Sequence, residues 1–354
     1  MVEGEKFFST AGAINPKKHY FIPHRLDEKK LLDFIQKEHY FILHAPRQSG
    51  KTTSILEWVR ELNAVGKYKA FYINIEAAQA SRGNIEEGMR TILHRFRSGI
   101  IDYFGEKDPA LTYLNQEIDK RSFSGNALYD FLQFWAKKTY EEEHKHLLLF
   151  IDEIDSLVGD TLIAVLRQLR DGYTSRPDSF PQSICLFGVR DVRDYRIWSD
   201  KEQATILGGS AFNIKAESIT LEDFSFEQVK DLYLQHTKAT GQVFEEDAIR
   251  YAFDQTRGQP WLVNALAYQA CFRDLEDRSL PITEEVLIRA RETLIKRCDT
   301  HMDVLIDRLS EPRVRNIIDI LLSGNEGSGF PPEDLLYIQD LGLISRGEIR
   351  IANP

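Results

Sequence analysis

Residues 40–53, Tyr40-Phe-Ile-Leu-His-Ala-Pro-Arg-Gln-Ser-Gly-Lys-Thr-Thr53, decide the fold. An apolar run opens the stretch, and an amphipathic segment over 54–64, closed by Gly66, follows it. A strand that turns through a glycine into a helix is the setting of a phosphate-binding loop. Ala45 to Thr52 matches the pattern G-x-x-x-x-G-K-[ST] at every position but the first, where alanine stands for glycine. The residue types suit the chemistry. Backbone amides of Ala45, Arg47, Gln48, Ser49, Gly50 and Thr53, on a loop bent by Pro46, would surround a β-phosphate at the helix N-terminus. Gly50 lets the backbone approach the anion without a Cβ, Lys51 would reach the β- and γ-phosphates, and the Thr52 hydroxyl would join a Mg2+ shell. Ala45 is acceptable if its φ is negative and strains the loop otherwise.

Further along, Leu147-Leu-Leu-Phe-Ile-Asp152-Glu153 reads as a buried strand that ends in two adjacent carboxylates. Ligands of open parallel sheets bind at such strand ends. Asp152 would hold the metal through a water, and Glu153 would orient or deprotonate an attacking water. Read alone, the two acids could instead cap the helix near Ser156.

Short apolar runs alternate with amphipathic stretches through the first two hundred residues, which predicts an α/β domain with a mostly parallel sheet. Strands are expected at 40–44, 70–75, 147–151, 183–188 and 214–221, and a helix over 126–142. The alternation then ends. Helices are expected over 226–237, 245–255 and 261–275, with a fourth beginning at Thr283, whose hydroxyl precedes two acids. From about residue 299 a third unit is expected: helices at 302–309, 314–322 and 333–341, a Gly/Ser turn over 323–329, and two strands, 343–346 and 348–351, turning at Gly347. That is the outline of a winged helix. The chain stops at Ile351-Ala-Asn-Pro354, directly after the second strand, where such a unit can carry a further helix.

The 354 residues hold 45 Lys and Arg against 55 Asp and Glu, a net charge of −10, which argues against coating nucleic acid by charge alone. A hydrophobic content of 42% calls for a packed core. No apolar run approaches a membrane span, and the first residues lack a secretory leader. Cys185, Cys271 and Cys298 are too few and too scattered for a disulfide framework or a zinc site, so a reducing cytoplasm and buried thiols are expected. Residues 299–354 carry ten acids and five bases, and the would-be recognition helix 333–341 has no Lys or Arg. DNA is therefore the disfavoured partner.

The two motifs, with strands before, between and after them, resemble the AAA+ class of P-loop ATPases, most closely its STAND and archaeal-ATPase-like branch. The resemblance covers residues 7 to 300. It implies a parallel sheet of order 5-1-4-3-2, spanning 1–221, followed by a helical lid at 222–298 and a winged-helix-like unit at 299–354. It implies ATP, ADP and Mg2+ as ligands and hydrolysis of the nucleotide. A non-hydrolytic, nucleotide-gated interaction protein is the alternative, as is a DNA-remodelling ATPase. Phe21-Ile22-Pro-His-Arg25, just ahead of the first strand, is similar to the family's adenine-contacting segment, with Pro23 and His24 in place of small residues. Arg190, ending Phe187-Gly-Val-Arg-Asp191, resembles the STAND sensor arginine near the γ-phosphate; alternatively it pairs with Asp191 or Asp194. Gly258-Gln259-Pro260 is similar to the lid motif whose proline lies against adenine, and Leu221-Glu-Asp-Phe224 to the hinge. In STAND proteins the winged unit folds back on the nucleotide domain with ADP and swings away with ATP. Ring-forming relatives supply an arginine finger in trans, for which Arg167, Arg170, Arg176, Arg193 and Arg196 are candidates. A homo-oligomer and a protein partner without a name in the sequence follow from the same resemblance.

Overall fold

The structure, a computed structural model, describes residues 5–118, 120, 125–191, 195–297, 308–323, 329–345 and 349–353. Cys298, Arg193, Asp194, most of the expected helix 302–309 and Gly/Ser turn, and the turn at Gly347 lie outside them. The chain forms two compact units. One comprises Leu26–His44 and Ser54–Thr220, and the other Met1–Arg25, Ala45–Thr53 and Leu221–Pro354.

The first unit runs α1 (Glu28–Gln36), β1 (Tyr40–His44), α2 (Lys51–Val65, its first turn in the other unit), β2 (Tyr68–Asn74), α3 (Ile85–Phe104), α4 (Ala110–Ile118), α5 (Ala127–Glu143) and β3 (His146–Asp152). It continues with α6 (Gly159–Asp171), β4 (Ser183–Gly188), β5 (Arg196–Ser199), β6 (Ala204–Leu207), α7 (Gly208–Ala211) and β7 (Lys215–Thr220). The sheet order is β2-β3-β4-β1-β7 with all pairs parallel, which is the expected 5-1-4-3-2 with β7 as the fifth strand. β1 and β4 are buried along their whole length, because crossover helices cover both faces. A layer of rings fills the core: Phe71 lies 5.2 Å from Trp135, and Phe96 lies 5.1 Å from Phe131. Truncating one of these to Ala would cost about 3–5 kcal/mol. α5 begins where expected, but its cap is not local. The buried Gln168 of α6 accepts the Leu128 and Tyr129 amides at 3.0 and 3.1 Å. The hairpin β5–β6 is an element that the apolar pattern of the sequence does not announce.

In the second unit, α8 (Phe226–Thr240), α9 (Glu246–Thr256), α10 (Pro260–Gln269) and α11 (Glu284–Arg297) pack around one core. The helix expected over 261–275 is α-helical to Gln269 and runs on as a π-helix over Ala270–Asp274. Leu275 closes that wider turn, donating to the Ala270 carbonyl at 2.9 Å. The N-terminal segment belongs to the same core, since Phe8, Tyr20 and Ile22 are buried there. The Tyr20 hydroxyl meets His236 Nδ1 at 3.1 Å. Helices Pro312–Leu322 and Pro332–Asp340 share a smaller core with Ile344. The two expected strands behind them meet as one antiparallel bridge, Ile344 with Ile351. Cys185 and Cys271 are buried free thiols, and burial pushes both up. Among the described residues no helix is long and apolar enough to cross a membrane.

Candidate functional site

The chain leaves β1 at His44 and enters the loop that the sequence singles out. Ala45 is fully buried and its φ is not positive, so the missing glycine strains nothing there. The left-handed residues are Gln48, at φ 60°, and Gly50, at φ 86°. A Cβ on Gly50 would stand 2.5 Å from Arg25 Nη1. That guanidinium donates through Nη1 to the Ser49 carbonyl at 2.6 Å and through Nη2 to the Glu222 carbonyl, and it lies 4.6 Å from the Phe224 ring centre. Burial pushes Arg25 down to about 10, against the pull of Asp223, so it stays cationic near neutrality. Arg25 thus braces the back of the loop.

Lys51 is buried and begins α2. Its ammonium donates to the carbonyls of Ala45 at 2.6 Å and Pro46 at 3.1 Å. The Ser49 hydroxyl is buried and has no hydrogen-bond partner among the described residues. A buried donor left over beside a cation and a helix N-terminus is what an anion site requires. Thr52 is half-buried, and the Thr53 hydroxyl accepts the Ile14 amide at 3.1 Å. Arg47 and Gln48 are exposed. A glycine again permits a close approach at Gly342, at φ 78°. A Cβ there would lie 2.9 Å from Pro46 Cβ, so the C-terminal helices rest on the loop itself.

The other candidates stand on the sheet. Leu186 of β4 pairs with Ile42 of β1 on one side and Ile151 of β3 on the other, so His44 and Asp152 leave the same edge. Asp152 is buried. Its Oδ1 accepts the Glu153 amide at 2.9 Å and its Oδ2 accepts the Tyr72 hydroxyl at 2.7 Å. Glu153 is half-buried and left-handed, at φ 58° and ψ 39°. A side chain in that region costs about 1–2 kcal/mol and is typical of functional turns. The following turn, Ile154–Ser156, returns Asp155 to β4, where Oδ2 accepts the Val189 amide at 3.0 Å. The next residue, Arg190, has its guanidinium 5.6 Å from the Tyr195 ring centre.

Gly258, at φ 79°, lies against residue 224: a Cβ would fall 1.9 Å from the Phe224 carbonyl oxygen, and Phe224 donates to the Gly258 carbonyl at 2.8 Å. Pro260 is buried at the first position of α10, behind the capping side chain of Gln259. Phe21 is held through its backbone by Gln235 at 3.0 and 2.8 Å, and the Ile22 side chain joins the helical core. Several finger candidates are engaged within the chain. Arg167 pairs with Glu202, Arg170 donates to the Ser210 carbonyl, and Arg176 stacks 3.4 Å from the Tyr173 ring centre. Arg196 is exposed on β5. The residues that sequence reasoning passed over are Tyr72 and Asp155. Their significance lies in long-range contacts that no local pattern encodes.

No protein-family model matches the chain, and no curated protein does. Solved structures match it in fold. The Walker-type ATPase PABY2304 of Pyrococcus abyssi aligns over 98% of this chain and 97% of its own, at 17% identity and a TM-score of 0.64. The ORC2 protein of Aeropyrum pernix, solved in ADPNP–ADP complexes, aligns over 94% and 91%, at 16% identity and a TM-score of 0.56. Cdc6p from Pyrobaculum aerophilum aligns over 94% and 82%, at 14% identity and a TM-score of 0.50. At these identities the likeness is one of fold alone, an α/β unit on a five-stranded parallel sheet with helices behind it.

Proposed function

We propose that this chain binds ATP with Mg2+, hydrolyses it, and couples nucleotide state to the orientation of its helical lid and C-terminal helices. One observation carries the reading: the loop that offers an unpartnered buried hydroxyl and a buried ammonium is also the surface on which Gly342 rests. Nucleotide arriving at Ala45–Thr53 would displace the Lys51 ammonium from its carbonyls toward phosphate oxygens. The donors suit the ligands. Thr52 and Asp152 offer hard oxygens, the kind that Mg2+ takes, and are the residues that would hold it. Bound there, the ion would neutralise charge developing on the phosphates. Glu153 would orient and deprotonate the attacking water, and Arg190 would read the γ-phosphate with its fixed fork of donors. Arg25 steadies the loop from behind, while Phe21, Ile22 and Pro260 form the side toward the base. The lid and winged-helix-like segments, at 222–298 and 299–354, are the moving parts, and the cytoplasm is the compartment proposed.

The test is Mg2+-dependent ATP turnover by the wild type and by Glu153→Gln. Hydrolysis should fall by roughly 10²–10⁴-fold in the variant while ATP binding persists. Equal turnover removes Glu153 from the mechanism. A wild type that holds ATP through a single-turnover assay without cleaving it supports a nucleotide-gated binder instead.

A further inference from the structure

Tyr72 is absent from the roles above, yet it touches the most buried acid of the candidate site. In the β2–β3 pairing Tyr72 stands opposite Phe150, and Asp152 is two residues further along the same face. Such diagonal neighbours are within reach of long aromatic side chains, and here the phenol reaches Asp152 Oδ2 at 2.7 Å. The other oxygen is held by the Glu153 amide, so the carboxylate is gripped from both sides. The kind of donor matters. A lysine in this place would cancel the charge of Asp152, whereas a phenol is neutral near physiological pH and orients a carboxylate without neutralising it. The two bonds fix the direction in which the carboxylate faces.

We propose that Tyr72 is a positioning residue: it presets the Asp152 carboxylate for a divalent cation and so sets the metal requirement of the site. The inference rests on the reading of Asp152 as a metal-holding residue. Groups that orient a metal ligand from behind commonly account for 10–100-fold in metal affinity.

The probe is Mn2+, titrated against the full-length chain saturated with a non-hydrolysable ATP analogue, with free Mn2+ followed by electron paramagnetic resonance. In Tyr72→Phe the half-saturating Mn2+ concentration should rise about tenfold or more, while analogue binding without metal and the thermal midpoint stay within error of wild type. Excess Mg2+ should restore turnover in the same variant. In an Asp152→Asn background, Tyr72→Phe should add nothing to the metal defect. An unchanged Mn2+ midpoint, or an equal added loss in the Asp152→Asn background, overturns the role of Tyr72 and leaves the ATPase reading standing. A wild type that binds neither analogue nor Mn2+ removes both.

Discussion

A single hydrogen in place of a side chain lets Gly258 lie against the Phe224 carbonyl, and the left-handed backbone there suits glycine alone. Gly258→Ala is therefore expected to lower stability by about 3 kcal/mol or more, read as a drop in the urea midpoint. The sequence singled out Gly258 as part of a resemblance, and the structure supplies the physical cause. The loop residues were legible in the same way, because phosphate chemistry dictates residue types at a fixed spacing. Ala45 shows the limit of such a pattern. The pattern asks for glycine at the first position, while the backbone places its left-handed turns at Gln48 and Gly50. Tyr72 carried no signal at all, since an aromatic residue in a strand reads as packing until its hydroxyl is seen on Asp152.

Among elements, strands were easier to read than caps. Continuous apolar runs announced β1, β3 and β4, whereas the four-residue strands β5 and β6 are too short and too half-exposed to stand out. The cap of α5 comes from forty residues away, at Gln168. Gln168→Ala should cost about 2 kcal/mol, because two amides of the first turn lose their acceptor in a buried place. Equilibrium unfolding with an unchanged m-value would verify it. Helix α8 carries a titrating group into the helical core. Burial pushes His236 below its ordinary value of 6.5, with the Gln242 hydrogen bond opposing and Arg278 adding to the depression. Folding thus favours the neutral ring, and the unfolded chain binds the extra proton first. Stability should decline as pH falls through 6.5 toward the lower folded value and level off beneath it. His236→Gln should flatten that decline in urea titrations taken from pH 7.5 down to 5. Tyr20 and Gln242 touch the ring directly, and Glu5 and Arg278 are the charged groups facing it.

At the scale of the molecule, the proposed coupling between the loop and the C-terminal helices runs through the contact between Gly342 and Pro46. Gly342→Ala would thrust a methyl group into Pro46 and push the C-terminal helices off the loop. On the proposed reading, ATP association should quicken and turnover should rise severalfold, visible in stopped-flow binding and steady-state assays. No change in either would show that the contact does not gate the loop. The same helices are not expected to hold DNA. The segment Pro332–Asp340 has acids in its first turn and no cation along its length, so it lacks the term that makes such binding strong and steeply salt-dependent.

The N-terminal segment invites a different thought. Phe8, Tyr20 and Ile22 are sealed among helices that begin more than two hundred residues later. Transplanting those helices into another protein as a ready-made module would leave three vacant seats in their interior.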